Sequence, residues 1–240
     1  MDIEPIAYFR SPFPDKFGIP RQSGLSPSVR GQIVFEPGYR NADAVRGLEG
    51  FDYIWLIWGF SANLERNSRP AVGEITAPAD KTRFQPTVRP PRLGGNERVG
   101  VFASRSPFRP NSLGLSAVKL ESIEDGPVIN VLGADLMDGT PIYDIKPYVT
   151  YADSHPDARS GFVDGTVWEP LGVSFPDGPL PEGLDLEALR EVLSQDPRPR
   201  YQSDPRKVYG MYFDGCEVRF RVEDGIVKVV SIEKDSLEKQ

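Results

Sequence analysis

Short apolar runs, rich in β-branched and aromatic residues and ending at Gly, Pro or Asn, recur along the chain. Such runs are typical of β-strands, because these side chains pack well on a pleated, half-buried surface. The pattern predicts four strands in the first half of the chain, at residues 3–9, 31–35, 53–60 and 98–103.

Turn signals add hairpins to this pattern. The turn Glu124-Asp125-Gly126-Pro127 lies between apolar runs at 117–123 and 128–134, an arrangement that predicts an antiparallel hairpin. Near the end of the chain, two Asp-Gly dipeptides are strong tight-turn signals. They separate three further predicted strands, at residues 208–213, 217–222 and 226–232.

Helical spacing of apolar residues is found in two short segments. Residues 41–50 begin with Asn, continue with apolar residues at helical intervals and end with Gly, which predicts one short capped helix. After Asp185, a favourable capping residue, Leu186, Leu189 and Leu193 share one face of a second predicted helix.

Many short strands with little helix favour a closed or nearly closed barrel, because closure removes exposed strand edges. The chain has 240 residues, more than the commonest domain size, and contains 24 Pro and 23 Gly. We therefore predict a mainly β protein in two parts. An N-terminal β-barrel over residues 1–172 is followed, after a Pro/Gly linker over 173–183, by a small C-terminal α+β domain over 184–240.

Charge is unevenly distributed. The net charge is −7, but residues 69–119 contain nine Lys or Arg and three acids, so this segment is +6 and the remainder −13. A basic island in an acidic protein can attract an anion such as a nucleic acid locally. The alternative is a solvated face paired with acidic neighbours.

The single cysteine, Cys216, has no partner for an intrachain disulfide, and the first residues carry no basic-then-apolar leader. Both features favour a cytoplasmic protein. The most apolar stretch, residues 53–62, is much shorter than the roughly 20 residues needed to cross a bilayer, so no membrane association is expected.

Several enzyme classes lack their motifs here. The sequence has no G-x-G-x-x-G, no P-loop and no C-x-x-C, and the one histidine, His155, lies in a polar loop. A dinucleotide fold, a P-loop NTPase and a zinc enzyme are therefore disfavoured, and no metal site is predicted. A Ser-His-Asp hydrolase would depend on His155, which we interpret as a surface residue.

Two turns whose proline and glycine residues restrict the backbone are better candidates for a site. Pro107 and Pro110 exclude a helix, so Arg105, Arg109 and Asn111 are expected on a stiff exposed turn. Arginine suits phosphate and carboxylate groups and stacks on bases.

A second turn, around Asp135, Asp138 and Asp144, brings carboxylates together near Tyr143 and Tyr148. Such carboxylates can bind a metal ion, or they can accept hydrogen bonds from ribose hydroxyls or an ammonium group. The alternative is an ordinary Asp-Gly turn.

Longer motifs resemble the TsaA-like family, and within it the branch that methylates tRNA. They are Pro20-Arg21-Gln22, Arg46-Gly47-Leu48-Glu49-Gly50-Phe51, Arg89-Pro90-Pro91-Arg92-Leu93-Gly94-Gly95-Asn96, Arg105-Ser106-Pro107-Phe108-Arg109-Pro110-Asn111, Asp138-Gly139-Thr140-Pro141, Asp144-Ile145-Lys146-Pro147-Tyr148 and, in the C-terminal part, Asp196-Pro197-Arg198-Pro199-Arg200-Tyr201. The resemblance covers nearly the whole chain, in the same order.

The resemblance implies a non-Rossmann methyltransferase barrel that uses S-adenosyl-L-methionine, works as a homodimer and binds the cofactor close to the subunit interface. The cofactor contacts that it implies are Pro20, Arg21, Gln22, Ser61, Ala62, Arg105, Leu115, Asp135, Leu136, Met137, Asp138, Gly139 and Thr140.

The implied reaction is methylation of N6 of N6-threonylcarbamoyladenosine at position 37 of tRNA. Asp138 and Tyr143 are candidate catalytic residues by position, although positioning of the substrates without a protein base is an alternative. The residues implied to bind the anticodon stem-loop are Arg89, Arg92, Arg109, Asp196, Arg198, Arg200 and Tyr201. Two other functions remain open: a regulatory adaptor that binds S-adenosylmethionine without methyl transfer, and methylation of a different nucleotide or a metabolite.

Overall fold

The computed structural model describes residues 3–60, 85–90, 97–165, 168–198 and 204–235. Twelve strands are described in these ranges: β1 Ala7–Arg10, β2 Arg30–Phe35, β3 Tyr53–Gly59, β4 Thr87–Val88, β5 Val99–Gly100, β6 Leu113–Glu124, β7 Val128–Leu132, β8 Pro141–Pro147, β9 Gly172–Ser174, β10 Tyr209–Phe213, β11 Cys216–Glu223 and β12 Ile226–Lys234. The described α-helices are α1 Thr150–Asp153 and α2 Leu186–Ser194.

Six strands form a closed barrel in the order β1-β2-β7-β6-β3-β8. Alternate residues of each strand point inward, as the buried Ala7 and Phe9 of β1 and the buried Ile54, Leu56 and Trp58 of β3 show. These side chains fill the barrel with one apolar core. The predicted barrel and the mainly β fold are confirmed.

Every neighbouring pair in the barrel is antiparallel. Strands therefore alternate in direction, and one rim of the barrel collects the ends of β1, β3 and β7 together with the starts of β2, β6 and β8. Loops that are far apart in the sequence meet at this rim, which we call the loop rim.

A second sheet, in the order β10-β11-β12-β9, packs on α2. Asp185 caps this helix as predicted, because its carboxylate accepts a hydrogen bond from the Ala188 backbone N–H. Strand β9 lies at the predicted start of the linker and pairs in parallel with β12. The apolar core beneath the sheet also contains Phe13 and Val29, which come from the β1–β2 connection.

The structure differs locally from the predictions in several places. Residues 98–103 form the short strand β5 and then a 3-10 turn at Val101–Ala103, because the chain turns after Gly100. Residues 41–50 form two 3-10 turns, Ala42–Val45 and Leu48–Gly50, separated by Gly47 in the left-handed region, φ 84°. Strand β8, bounded by two prolines, was not predicted as a strand.

Candidate functional site

The loop rim brings together most of the residues that the motifs single out. Pro20, Arg21 and Gln22 lie in the β1–β2 connection, Arg105 precedes β6, Leu115 lies near the start of β6, and Asp135–Thr140 form the β7–β8 connection. Ser61 and Ala62 follow β3 in sequence and lie outside the described residues. Antiparallel closure of the barrel is the reason that these distant segments meet.

Hydrogen bonds join the loops of the rim to each other. The Arg105 guanidinium donates through Nη1 to Oε1 of Gln22. This hydrogen bond joins residues 101–111, which we call the arginine turn, to the β1–β2 connection. The backbone N–H of Gly24 donates to the carbonyl of Gly133 over 2.8 Å, and the Gly133 N–H donates to the Val29 carbonyl over 2.8 Å. The rim is therefore one bonded unit.

Asp135 is fixed by a chain of hydrogen bonds that starts inside the barrel. The indole Nε1–H of Trp58 donates to Ser116 Oγ over 3.0 Å, and Ser116 Oγ donates to Asp135 Oδ1 over 2.6 Å. The indole packs against Gly114, where a Cβ atom would come within 2.3 Å of the ring. The barrel wall thus orients this carboxylate.

Burial raises the pKa of Asp135, whereas the hydrogen bond from Ser116, backbone hydrogen bonds and the nearby positive charge of Arg105 act to lower it. A carboxylate that is costly to ionise and is nevertheless held in place by several donors is typical of functional sites. Its chemistry suits a ligand that offers hydroxyl or ammonium donors.

The Asp138 turn is held mainly by β1 and the residues after it. Backbone N–H groups of Asp138 and Gly139 donate to the carbonyls of Phe13 and Phe9, each over 2.8 Å. The Asp138 carboxylate accepts from the Ser11 N–H over 3.0 Å and from the exposed Arg10 guanidinium over 3.5 Å. The Asp138 carboxylate therefore connects the turn to β1. These hydrogen bonds compete with a role for the carboxylate as a base that abstracts a proton.

The backbone of this turn follows from its sequence. Gly139 has φ +72°, in the left-handed region that favours glycine. The Thr140 hydroxyl donates to the Met137 carbonyl over 2.7 Å, and Leu136 is buried in the barrel core. The side chains of Leu136 and Thr140 therefore anchor the turn to the barrel.

Tyr143 lies at an irregularity in β8. Ile57 pairs with Asp144 and Trp58 pairs with Ile142, so Tyr143 is the extra residue of a bulge. Its ring lies over Gly59 at the end of β3, where a Cβ atom would come within 2.9 Å of the Tyr143 hydroxyl. Bulges re-aim side chains at barrel rims, and this one directs a phenol to the rim.

The arginine turn presents aromatic rings, which the sequence analysis did not single out. Arg109 is directed inward: its Nη1 donates to the carbonyls of Ser104 and Val101, over 2.6 and 3.3 Å. Phe102 and Phe108 are 69% and 49% exposed. The Arg109 guanidinium lies 5.8 Å from the centre of the Phe102 ring and stabilises the loop that carries both rings.

The other predicted RNA-binding residues are not brought together in the described structure. Arg89 is exposed next to β4, while Arg92, Arg200 and Tyr201 lie outside the described residues. The Arg198 side chain is 15% exposed and forms a two-point ion pair with Asp196, with N–O distances of 2.8 and 3.0 Å. This hydrogen bonding raises the pKa of Arg198 and directs its guanidinium to Asp196 rather than to solvent.

Within the ranges that the structure covers, no cluster of three or more His, Cys, Asp or Glu side chains is placed to hold a metal ion. The helices described there are all too short or too polar to cross a membrane.

Comparisons with known proteins agree with this architecture. Residues 8–154 match the family model for the tRNA-methyltransferase O N-terminal domain, and residues 181–235 match that for the TrmO C-terminal domain. The tRNA (adenine(37)-N6)-methyltransferase of Escherichia coli (strain K12) is 40% identical over 244 residues, which cover 96% of this chain and 97% of that protein.

Two relatives from Pseudomonas aeruginosa extend the comparison. One, RcsF, carries a name that refers to S-adenosylmethionine-dependent methyl transfer and is 48% identical over 210 residues, covering 85% of this chain and 80% of that protein. A crystal structure of TrmO from the same species has a TM-score of 0.72 and 29% identity, and the match covers 97% of both chains.

A closed barrel whose loop rim carries both arginine and aspartate side chains, together with these matches, defines the class: a tRNA methyltransferase built on a β-barrel rather than on a Rossmann sheet. Within that class, the chain belongs to the TrmO family, the branch of the TsaA-like proteins that its motifs indicate.

Proposed function

We propose that this protein methylates N6 of N6-threonylcarbamoyladenosine at position 37 of tRNA, with S-adenosyl-L-methionine as the methyl donor. The observation that carries the proposal is the bonded loop rim, where Asp135, held by Ser116, and Arg105, bonded to Gln22, lie at the mouth of a closed barrel. The names of the curated relatives support transfer to N6 of adenosine 37. The threonylcarbamoyl group on that adenosine is our own addition to what these names state.

The rim residues fit the chemical groups of the cofactor. S-adenosylmethionine offers ribose hydroxyls and an ammonium group, which suit the carboxylate of Asp135, and a carboxylate, which suits the exposed guanidinium of Arg105. Leu115 is 56% exposed although it lies within a barrel strand, and it offers an apolar surface to the adenine ring. When bound, the cofactor supplies a methyl group on a positively charged sulfur.

The full set of proposed cofactor contacts follows the motifs. Because Leu136 and Thr140 are buried, we propose that the Asp138 turn contributes mainly backbone groups. The proposed contacts are Pro20, Arg21, Gln22, Ser61, Ala62, Arg105, Leu115, Asp135, Leu136, Met137, Asp138, Gly139 and Thr140.

Catalysis in this proposal depends mainly on positioning. Methyl transfer from a sulfonium needs in-line geometry and surroundings that tolerate the loss of positive charge. The acceptor nitrogen belongs to a urea-like group with a delocalised lone pair. The reaction therefore requires a polar group that either takes the proton from this nitrogen or orients the nitrogen towards the methyl group. Tyr143, directed to the rim by its bulge, is the better-placed candidate, whereas Asp138 is engaged with Ser11 and Arg10.

For tRNA, we propose that the anticodon stem-loop lies across the loop rim. Exposed Arg89 suits a phosphate, and the rings of Phe102 and Phe108 suit stacking on splayed bases. Arg92, Arg200 and Tyr201 stay in the proposal on the strength of their motifs. For Arg109, Asp196 and Arg198 the contacts favour a supporting role, because their charged groups bind within the protein.

We also propose a homodimer that works in the cytoplasm. On the outer barrel face, the paired residues Ile57 and Leu115 and the nearby Trp55 present partly exposed apolar surface next to the rim. A second copy of the chain that covers this face would lie beside the cofactor.

The experiment that tests the proposal is mass spectrometry of tRNA nucleosides from a strain that lacks this gene, with and without the wild-type copy. Loss of the methylated threonylcarbamoyladenosine and its return with the wild-type gene would support the enzyme. An unaltered nucleoside profile would overturn it and favour the adaptor that binds the cofactor without methyl transfer.

A further inference from the structure

The β1–β2 connection lies between the Asp138 turn and the second sheet. We infer that the C-terminal domain supports the proposed cofactor site. Phe213 of this domain holds Phe13, and both act as positioning residues for the Asp138 turn, residues 136–140. The inference rests on the proposed cofactor site and adds a role for the C-terminal domain beyond RNA binding.

On one side, the connection holds the turn through backbone groups. The Phe13 carbonyl accepts from the Asp138 N–H over 2.8 Å, and the Ser11 N–H donates to the Asp138 carboxylate over 3.0 Å. The turn is therefore located by residues 11–13 as well as by the barrel strands.

On the other side, the same residues are held by the second sheet. The ring of Phe13 is fully buried and meets the Phe213 ring edge-on, with 5.4 Å between centroids. The backbone N–H of Asp214 donates to the Pro12 carbonyl over 2.9 Å. Phe13 packs in the core of α2 and β10–β12, not in the barrel core, so its position depends on the C-terminal domain.

A second contact braces Pro20–Gln22 in the same way. The guanidinium of Arg21 lies 5.9 Å from the centre of the Trp168 ring, and the Trp168 indole N–H donates to Gln195 Oε1 over 3.1 Å, at the end of α2. The side chain of Met211 in β10 packs against Gly18, where a Cβ atom would come within 2.5 Å of Met211 Cε. Two proposed cofactor segments thus rest on the C-terminal domain.

Loss of the Phe213 ring should let residues 11–13 shift and should loosen the Asp138 turn. For Phe213→Ala, we expect the Kd for S-adenosylmethionine, measured by calorimetry, to rise about tenfold or more. The KM for the cofactor should rise in parallel, while kcat at saturating cofactor and the KM for tRNA stay within about twofold of wild type. A purely structural role would instead reduce the active fraction, which lowers kcat and leaves the cofactor KM unchanged.

The neighbouring residue provides a matched control. Tyr212 lies on the same strand with its side chain on the outer face, so Tyr212→Ala should leave cofactor affinity unchanged. Phe213→Leu keeps most of the buried volume and should bring the Kd back to within about threefold of wild type. A folded Phe213→Ala protein with wild-type cofactor affinity would overturn the inference.

Hydrogen exchange supplies a readout that needs no cofactor. The backbone amides of Asp138 and Gly139 should exchange at least about tenfold faster in Phe213→Ala, and in Phe13→Leu if Phe213→Ala does not fold. Unchanged exchange in the folded variant would contradict the inference. If wild-type protein binds no S-adenosylmethionine while these amides still respond, the proposed function fails and the bracing of the turn stands.

Discussion

Ser116 donates a 2.6 Å hydrogen bond to Asp135, and this contact joins the interior of the barrel to the loop rim. Ser116 is itself buried and accepts from the Trp58 indole. A core tryptophan, a strand serine and a rim carboxylate therefore form one line of polar contacts, which orients Asp135 before any ligand arrives.

Replacing Ser116 with Ala removes the middle of this line. The Trp58 N–H is then buried without its partner, which should cost about 1–3 kcal/mol of unfolding free energy. Asp135 also loses a fixed donor, so the Kd for S-adenosylmethionine should rise severalfold. Chemical denaturation and calorimetry measure the two effects. Ser122→Ala on the same strand is the control for binding, because Ser122 accepts a hydrogen bond from Asn130 and has no contact with Asp135, so its loss should leave the Kd unchanged. Wild-type values of both quantities in Ser116→Ala would contradict this account.

The raised pKa of Asp135 predicts how stability depends on pH. The folded protein binds this proton more tightly than the unfolded chain does, so the wild type loses stability as pH rises through the range between the unfolded and the higher folded pKa. Asp135→Asn does not titrate. The difference in Tm between Asp135→Asn and wild type should therefore increase from pH 4 towards pH 8, as followed by calorimetric melting.

A flat or decreasing Tm difference over that range would contradict the assigned pKa shift. In the same variant, cofactor affinity should fall, because an amide replaces the charged acceptor. A gain in stability at neutral pH with a loss of binding would show that Asp135 is kept for function rather than for folding.

The exposed rings of the arginine turn give a prediction about tRNA. Stacking on a base is worth about 1–3 kcal/mol, so Phe102→Ala and Phe108→Ala should each raise the KM for tRNA by about fivefold to a hundredfold. Cofactor affinity should change little, which steady-state kinetics and calorimetry together can establish. Tyr151→Ala is the control, because this ring is 91% exposed but follows β8 at the opposite end of the barrel. Equal effects of all three variants would argue against stacking at the rim.

Arg198 gives a prediction that separates structure from RNA binding. Its two-point ion pair with Asp196 is largely shielded, so Arg198→Ala should lower the unfolding free energy by about 1–3 kcal/mol. Arg198→Lys should restore only part of this stability, because an ammonium group does not reproduce the paired geometry. Unchanged melting temperatures combined with weaker tRNA binding would instead show that Arg198 faces RNA.

The strands predicted from apolar runs agree with the structure where the runs are long and bounded by turn residues, as at 53–60 and 117–134. Strand β8 was missed because its two prolines and polar residues hide the alternation. Strand β9 was missed because its three residues form a strand only through pairing with β12, a contact over more than fifty residues. Short strands of this kind are decided by tertiary contacts rather than by local sequence.

The sequence motifs identified the loops that form the site, but not the residues that hold these loops in place. The Asp135 and Arg105 loops were predicted to act together, and the barrel topology brings them to one rim. Ser116 and Phe213 lie outside every motif, and their roles depend on contacts with Asp135 and Phe13 that sequence spacing does not reveal. The motif resemblance implies Arg109 and Arg198 as RNA contacts, yet partners within the protein occupy both guanidinium groups.

The most direct test is methyl transfer by the purified protein to two tRNA preparations that differ only in the threonylcarbamoyl group on adenosine 37. With S-adenosylmethionine present, mass spectrometry of the nucleosides should show threonylcarbamoyladenosine gaining one methyl group, and adenosine 37 without the modification remaining unchanged. The Asp135→Ala variant should give no methylated product at a cofactor concentration that saturates the wild-type protein. If folded, cofactor-saturated wild-type protein left threonylcarbamoyladenosine without the additional methyl group, the account would be contradicted.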